Sequence, residues 1–87
     1  MEKYSYSVGV KISNELIGYI ENDIGSPFYT KNVREAFIFN SLHEAHSFED
    51  KIRNIIGKQI NTLVITYKVL IEEKGMGDLN YTIIGEA

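Results

Sequence analysis

His43, His46 and Asp50 stand at i, i+3 and i+7. On an α-helix these three lie within about 60° of one another, close enough for a divalent metal to bridge them. A catalytic zinc, however, takes three protein ligands in a cleft with supporting groups behind them, and no neighbouring residues promise one. The same residues read as solvated polar positions opposite an apolar face. Nucleophilic catalysis needs a base-activated hydroxyl. Ser5, Ser7, Ser13, Ser26, Ser41 and Ser47 are available, and none sits in a Gly-x-Ser-x-Gly turn. Carboxylate pairs for glycoside hydrolysis can be drawn from Glu21, Asp23, Glu44 or Asp50, as from any acidic protein. Gly75-Met76-Gly77 is followed by no Gly-Lys-Ser/Thr and so is not a phosphate loop. There is no cysteine, which removes disulfides, thiolate metal sites and thiol nucleophiles together. The expectation is a non-enzymatic protein with no cofactor and no metal, and a small metal-dependent enzyme stands as an alternative.

The elements that would position any such residues begin with Ser41–Gly57. Ser41 has N-cap chemistry, with Glu44 at the capping-box spacing. Leu42, Ala45, Phe48, Ile52, Ile55 and Ile56 share one broad helical face, with His43, His46, Ser47, Asp50 and Asn54 opposite. Gly57 has the residue type of a helix stop. A lone helix of this length is marginal in water, so it needs a sheet beneath it.

Strands supply that sheet. Tyr4, Tyr6, Val8, Val10 and Ile12 alternate with small or polar residues, the period of a half-buried strand. Ser13-Asn14-Glu15 reads as a turn and Leu16–Glu21 as a second strand. Asn22–Pro27 is turn chemistry, and Phe28–Thr30 a short return strand. Asn32–Ala36 has the form of one helical turn capped by Asn32, with Glu35 at the third position. Phe37–Phe39 is a short strand or a buried link. Asn61–Glu72 is the strongest strand pattern, rich in β-branched and aromatic residues. Lys74–Asn80 forms a glycine-bearing turn, and Asn80–Ile84 a final strand. Together these predict one α+β domain spanning residues 1–87: an antiparallel sheet of four to five strands with one main helix on one face.

A net charge of −3 with 12 scattered acidic residues argues against a nucleic-acid binder. No apolar run approaches the ~18 residues of a membrane span. The start, MEKYSYS, has no apolar signal region, so the expectation is a soluble cytoplasmic protein.

The run from Gly18 to Ile52 carries Thr30, Lys31, Glu35, Ala36, Phe39, Ser41, Glu44 and Ala45. In these residues it resembles a pattern of small uncharacterised proteins of Gram-positive phages and prophages, in which two strands and a TK…EA..F segment lead into a Ser-capped helix. The resemblance implies an accessory phage-type protein and brings no catalytic residue with it. The functional expectation is a protein-binding accessory protein, with an inhibitor of a host defence protein as one concrete form. A homo-oligomeric structural protein is the alternative.

The partner would be another protein or a second copy of the chain. In the Asn61–Glu72 strand, the uninterrupted apolar set Leu63, Ile65, Tyr67, Val69 and Ile71 is assigned to the helix-covered core. Val64, Thr66, Lys68 and Leu70 then face outward. Alternation with aliphatic residues places Tyr4, Tyr6 and Tyr67 in the core as well. The expected contact surface is the outer face with Val64, Leu70 and Ile84; the alternative is the acidic, aromatic rim of Tyr19, Glu21, Asp23 and Tyr29 around the Asn22–Pro27 turn.

Overall fold

The computed structural model describes residues 2–21, 29–56 and 61–87. Five strands form one antiparallel sheet: β1 (Glu2–Ile12), β2 (Glu15–Ile20), β3 (Tyr29–Thr30), β4 (Thr62–Glu73) and β5 (Leu79–Glu86), in spatial order β3-β2-β1-β4-β5. The main helix, α1 (Leu42–Ile56), packs on β1 and β4. The α+β architecture read from the sequence is the one the chain adopts. The expected Asn22–Pro27 turn, Phe28 and the Gly57 helix stop lie outside the described residues.

Local chemistry accounts for the boundaries. Ser13 and Asn14 join β1 to β2 with φ of 52° and 67°, the doubly positive turn whose twist matches that of the strands it connects. The Glu44 N–H donates to Ser41 Oγ at 3.3 Å, capping α1. Asn32 Oδ1 accepts from the Arg34 N–H at 3.1 Å and starts a 3-10 turn over Val33–Glu35. Glu35 does not reach back to that cap; its carboxylate accepts from Thr30 Oγ1 at 3.1 Å instead.

The central ladder runs from Glu2 opposite Glu72 to Ile12 opposite Thr62. This register puts Val8 across from Thr66 and Val10 across from Val64, so those four share a face. That face carries the helix. Val8, Val10, Ile20, Phe39, Ala45, Ile52 and Val64 are buried together, with Tyr6, Ile17, Phe37, Phe48 and Ile56 packed around them. Phe37 and Phe39 stack at 4.5 Å, and Phe48 of α1 lies 5.1 Å from Phe39.

The opposite face is filled as well. Tyr19, Ala36 and Tyr67 are buried there against Leu16, Val33, Ile65 and Ile83. The Tyr19 and Tyr67 rings meet edge to face at 5.8 Å. Tyr67 lies across Gly9, where an added Cβ would stand 2.8 Å from the Tyr67 ring; any other residue there would displace it. Val33 brings the 3-10 turn onto this face, and that turn also touches β5. The chain then changes sides. Ala36 bridges Glu21, Phe39 exchanges backbone bonds with Tyr6 at 2.8 Å, and the helix follows. Residues 36–39 therefore pass between the end of β2 and the first half of β1.

These observations correct the assignment of faces. Val64 and Thr66 lie under the helix, whereas Leu63 is 52% exposed and Ile65 and Tyr67 belong to the opposite cluster. The buried stripe of α1 is Ala45, Glu49 and Ile52, while Ile55 and Leu42 are exposed. Tyr4, expected in the core, is 47% exposed.

Candidate functional site

The helix covers only part of its face. Glu49 reaches Thr66 and Arg53 reaches Val64, so α1 runs antiparallel to β4. It begins level with Tyr6, because Phe39, two residues before the Ser41 cap, pairs with Tyr6. Tyr6 stands opposite Lys68. Beyond that row β1, β4 and β5 continue as a three-stranded arm with no helix above them among the described residues, and the molecule is elongated, 43 × 24 × 23 Å.

On the arm's helix-side face Tyr4 lies across from Leu70, and Leu70 across from Thr82. Ile84 joins them. Val69 pairs with Ile83 and Lys68 with Gly85, so Ile84 is the extra residue of a bulge, and it is 52% exposed. Lys68 lays its ammonium 4.3 Å from the centre of the Tyr4 ring, a cation–π contact that couples the two side chains. The result is an apolar surface of Tyr4, Leu70 and Ile84 with one cation at its border.

At the other end of β4 the edge is closed by side chains. β5 stops pairing at Glu86 opposite Tyr67, and the Ala87 N–H donates to the Thr66 carbonyl at 2.9 Å. There Glu49 takes over. Its Oε1 accepts from the Thr66 N–H at 3.0 Å and from Thr66 Oγ1 at 3.1 Å. Arg53 donates to the Val64 carbonyl at 3.0 Å and pairs with Glu49 at 3.1 Å and Asp50 at 3.3 Å. His46 stands 3.6 Å from Glu49. A carboxylate that is only 7% exposed requires partners of this kind. Of the three residues weighed as metal ligands, Asp50 thus belongs to the ion-pair network at this strand edge, His46 stands beside the Glu49 carboxylate, and His43 is exposed. Among the described residues no group of three or more His, Cys, Asp or Glu is placed to hold a metal.

The residues of the two expected contact regions are spread over the molecule. Leu70 and Ile84 come together on the arm. Val64, 4% exposed, is buried beneath α1, and Tyr19, 8% exposed, lies in the opposite cluster; neither is available to a partner. Glu21 is half-buried and bridges Ala36, and Tyr29 is exposed on the far edge strand β3. Asp23 lies outside the described residues. Sequence reasoning missed Glu49 and Arg53. The available signal was a glutamate set inside the apolar stripe between Ala45 and Ile52, with an arginine four residues later.

Burial raises the hydroxyl pKa of Tyr19, and more so beside Tyr67. Burial also raises that of Tyr67, against the opposing charge of Lys11 nearby. The Tyr67 hydroxyl itself has no hydrogen-bond partner among the described residues. Lys11 pairs with Glu86 at 3.3 Å and ties the end of β1 to the end of β5.

No helix among the described residues is long and apolar enough to cross a membrane. Comparison with family models, curated proteins and solved structures finds no significant match.

Proposed function

We propose that the protein is a non-enzymatic binding protein that docks another protein on the helix-side face of its arm. The observation carrying this reading is the group Tyr4, Leu70 and Ile84, which is apolar, contiguous and without helix cover. Tyr4 and Ile84 are exposed and Leu70 is half-buried; apolar groups gathered in one patch mark contact surfaces more often than the same residues scattered. Tyr4 supplies a large ring with a polar tip, the side-chain type enriched at interface centres, and Lys68 adds a cation at the rim. The resemblance to phage accessory proteins favours a partner in the host cell and action by occlusion, as an inhibitor of a defence protein would act.

The test is Leu70→Lys. It sets an unpaired charge in the middle of the patch, where a dry interface would not tolerate it. The folded chain should lose less than about 1 kcal/mol in denaturant melts, because Leu70 is outside both buried clusters. A partner recovered from host lysate by the parent chain should be lost by the variant. Equal recovery by both would place the contact elsewhere.

A further inference from the structure

We infer that the chain pairs with a second copy of itself through the outer edge of β5, antiparallel and centred on Tyr81. β5 is the last strand of the sheet, and no backbone bond to its outer edge is found among the described residues. The Lys74 N–H donates to the Asp78 carbonyl at 2.7 Å and closes the hairpin. Because bonded pairs alternate along an antiparallel ladder, Asn80 and Thr82 direct their backbone groups at β4. Leu79, Tyr81 and Ile83 therefore present theirs outward.

Proteins normally guard such an edge with lysine, proline or an inward charge. Leu79–Ile83, LNYTI, has none of these. The hairpin turn at Asp78 limits this stretch on one side and the bulge at Ile84 on the other. The middle of what remains is Tyr81. A two-fold axis there sets Leu79 against Ile83 of the second copy, Asn80 against its Thr82, and Tyr81 against its counterpart. Apolar residues thus meet apolar, and polar meet polar. Asp78 falls opposite Ile84 at the end of the paired stretch, and no acid lies within it. A register centred on Thr82 would oppose Asp78 to Glu86 and run into the bulge. One centred on Asn80 would pair only three residues of each strand before reaching the turn.

The axis stands perpendicular to the sheet, so both helices and both Tyr4–Leu70–Ile84 faces lie on the same side. Edge pairing of this length buries less than ~1,200 Å², the class of weak and transient interfaces. The inference does not depend on the proposed binding function.

The experiment uses the absence of cysteine from the chain. Asn80→Cys and Thr82→Cys are prepared separately; both positions are exposed. Across the proposed axis they form a non-bonded pair with Cα atoms ~4.5 Å apart, within disulfide reach. Under mild oxidation the mixed variants should cross-link at least about tenfold faster than either alone, since 80–80 and 82–82 are out of register. Sedimentation of the parent chain should move from 9.9 kDa toward twice that mass as concentration rises. Tyr81→Pro, which removes the central outward N–H and is a residue tolerated on edge strands, should hold the chain at 9.9 kDa with an unchanged circular dichroism spectrum. A chain that stays monomeric, or a mixture that cross-links no faster than the single variants, overturns the inference. In the parent chain, with Thr82 intact, Leu70→Lys should leave the concentration dependence of sedimentation unchanged, which keeps this result separate from the fate of the proposed binding face.

Discussion

The sheet has two kinds of exposed edge on the same side, a few residues apart. Below Tyr67, where β5 has ended, β4 would present the Thr66 N–H and the Val64 carbonyl to solvent. The helix fills both places with Glu49 and Arg53. Along β5 a longer row, Leu79 to Ile83, has no such guard among the described residues. The first edge uses a buried carboxylate, which is costly to desolvate, to satisfy a handful of backbone groups. The second is uncharged and left open. The difference teaches that edge protection here depends on what the helix can reach: α1 lies over the Val64–Thr66 end of β4 and starts level with Tyr6, so its side chains cannot extend to the arm.

The strongest way to break this comparison is to loosen the helix that carries the seal. Ile52 is 5% exposed, at the centre of the helix-side core. Ile52→Ala should cost about 2–5 kcal/mol in denaturant unfolding, and a loss under about 0.5 kcal/mol would contradict the packing described. Next in size is the seal itself. Glu49→Ala removes the acceptor from the Thr66 N–H and hydroxyl and should cost about 2–3 kcal/mol, as for hydrogen bonds to a charged group. Arg53→Ala, at a side chain 53% exposed, should cost about 1 kcal/mol or less. If the two changes are equal in effect, Glu49 is not the principal closure.

The smallest effect leaves both edges in place and loosens the face opposite the helix. Tyr19 and Tyr67 hold their protons more tightly folded than unfolded. Their contribution is fully present below the unfolded tyrosine value of about 10 and is lost as pH rises through the higher folded value. Thermal melts should therefore fall on the alkaline side, and Tyr67→Phe should flatten that fall. An unchanged alkaline slope in Tyr67→Phe would show that the Tyr67 hydroxyl does not titrate differently in the two states.

The elements were legible in the sequence because each has a local cause. Ser41 and Glu44 mark the helix start, Asn32 the 3-10 turn, Ser13-Asn14 the first hairpin, and period-two alternation the long strands. The face of β4 was not legible. Both of its residue sets are largely apolar, and the more apolar one was assigned to the helix. The helix took the other because Glu49 requires the polar partner that Thr66 supplies, and because Val33 and Ala36 cover Ile65 and Tyr67. That cover arrives from a segment whose path across the sheet leaves no mark in the periodicity. Leu70 and Ile84 were expected outside the helix cover as part of one outer sheet face. They do lack helix cover, but because they lie past its start and not because they lie on its far side.

The crossing of residues 36–39 between β1 and β2 bears on how the chain reaches its native state. β1–β2 and β4–β5 are local hairpins and can form early. Their union joins Ile12 to Thr62 and Tyr4 to Leu70, contacts between distant parts of the chain whose loop-closure entropy is met before any side chain is buried. The Ala36–Phe39 segment bonds the edge of β1 that faces β2, through the paired Tyr6 and Phe39 backbones, and leaves the β4 edge of β1 free. Formation of the central ladder, on whose two strands α1 packs, should therefore be the late step, and refolding should fall in the slow regime of topologies dominated by non-local pairing.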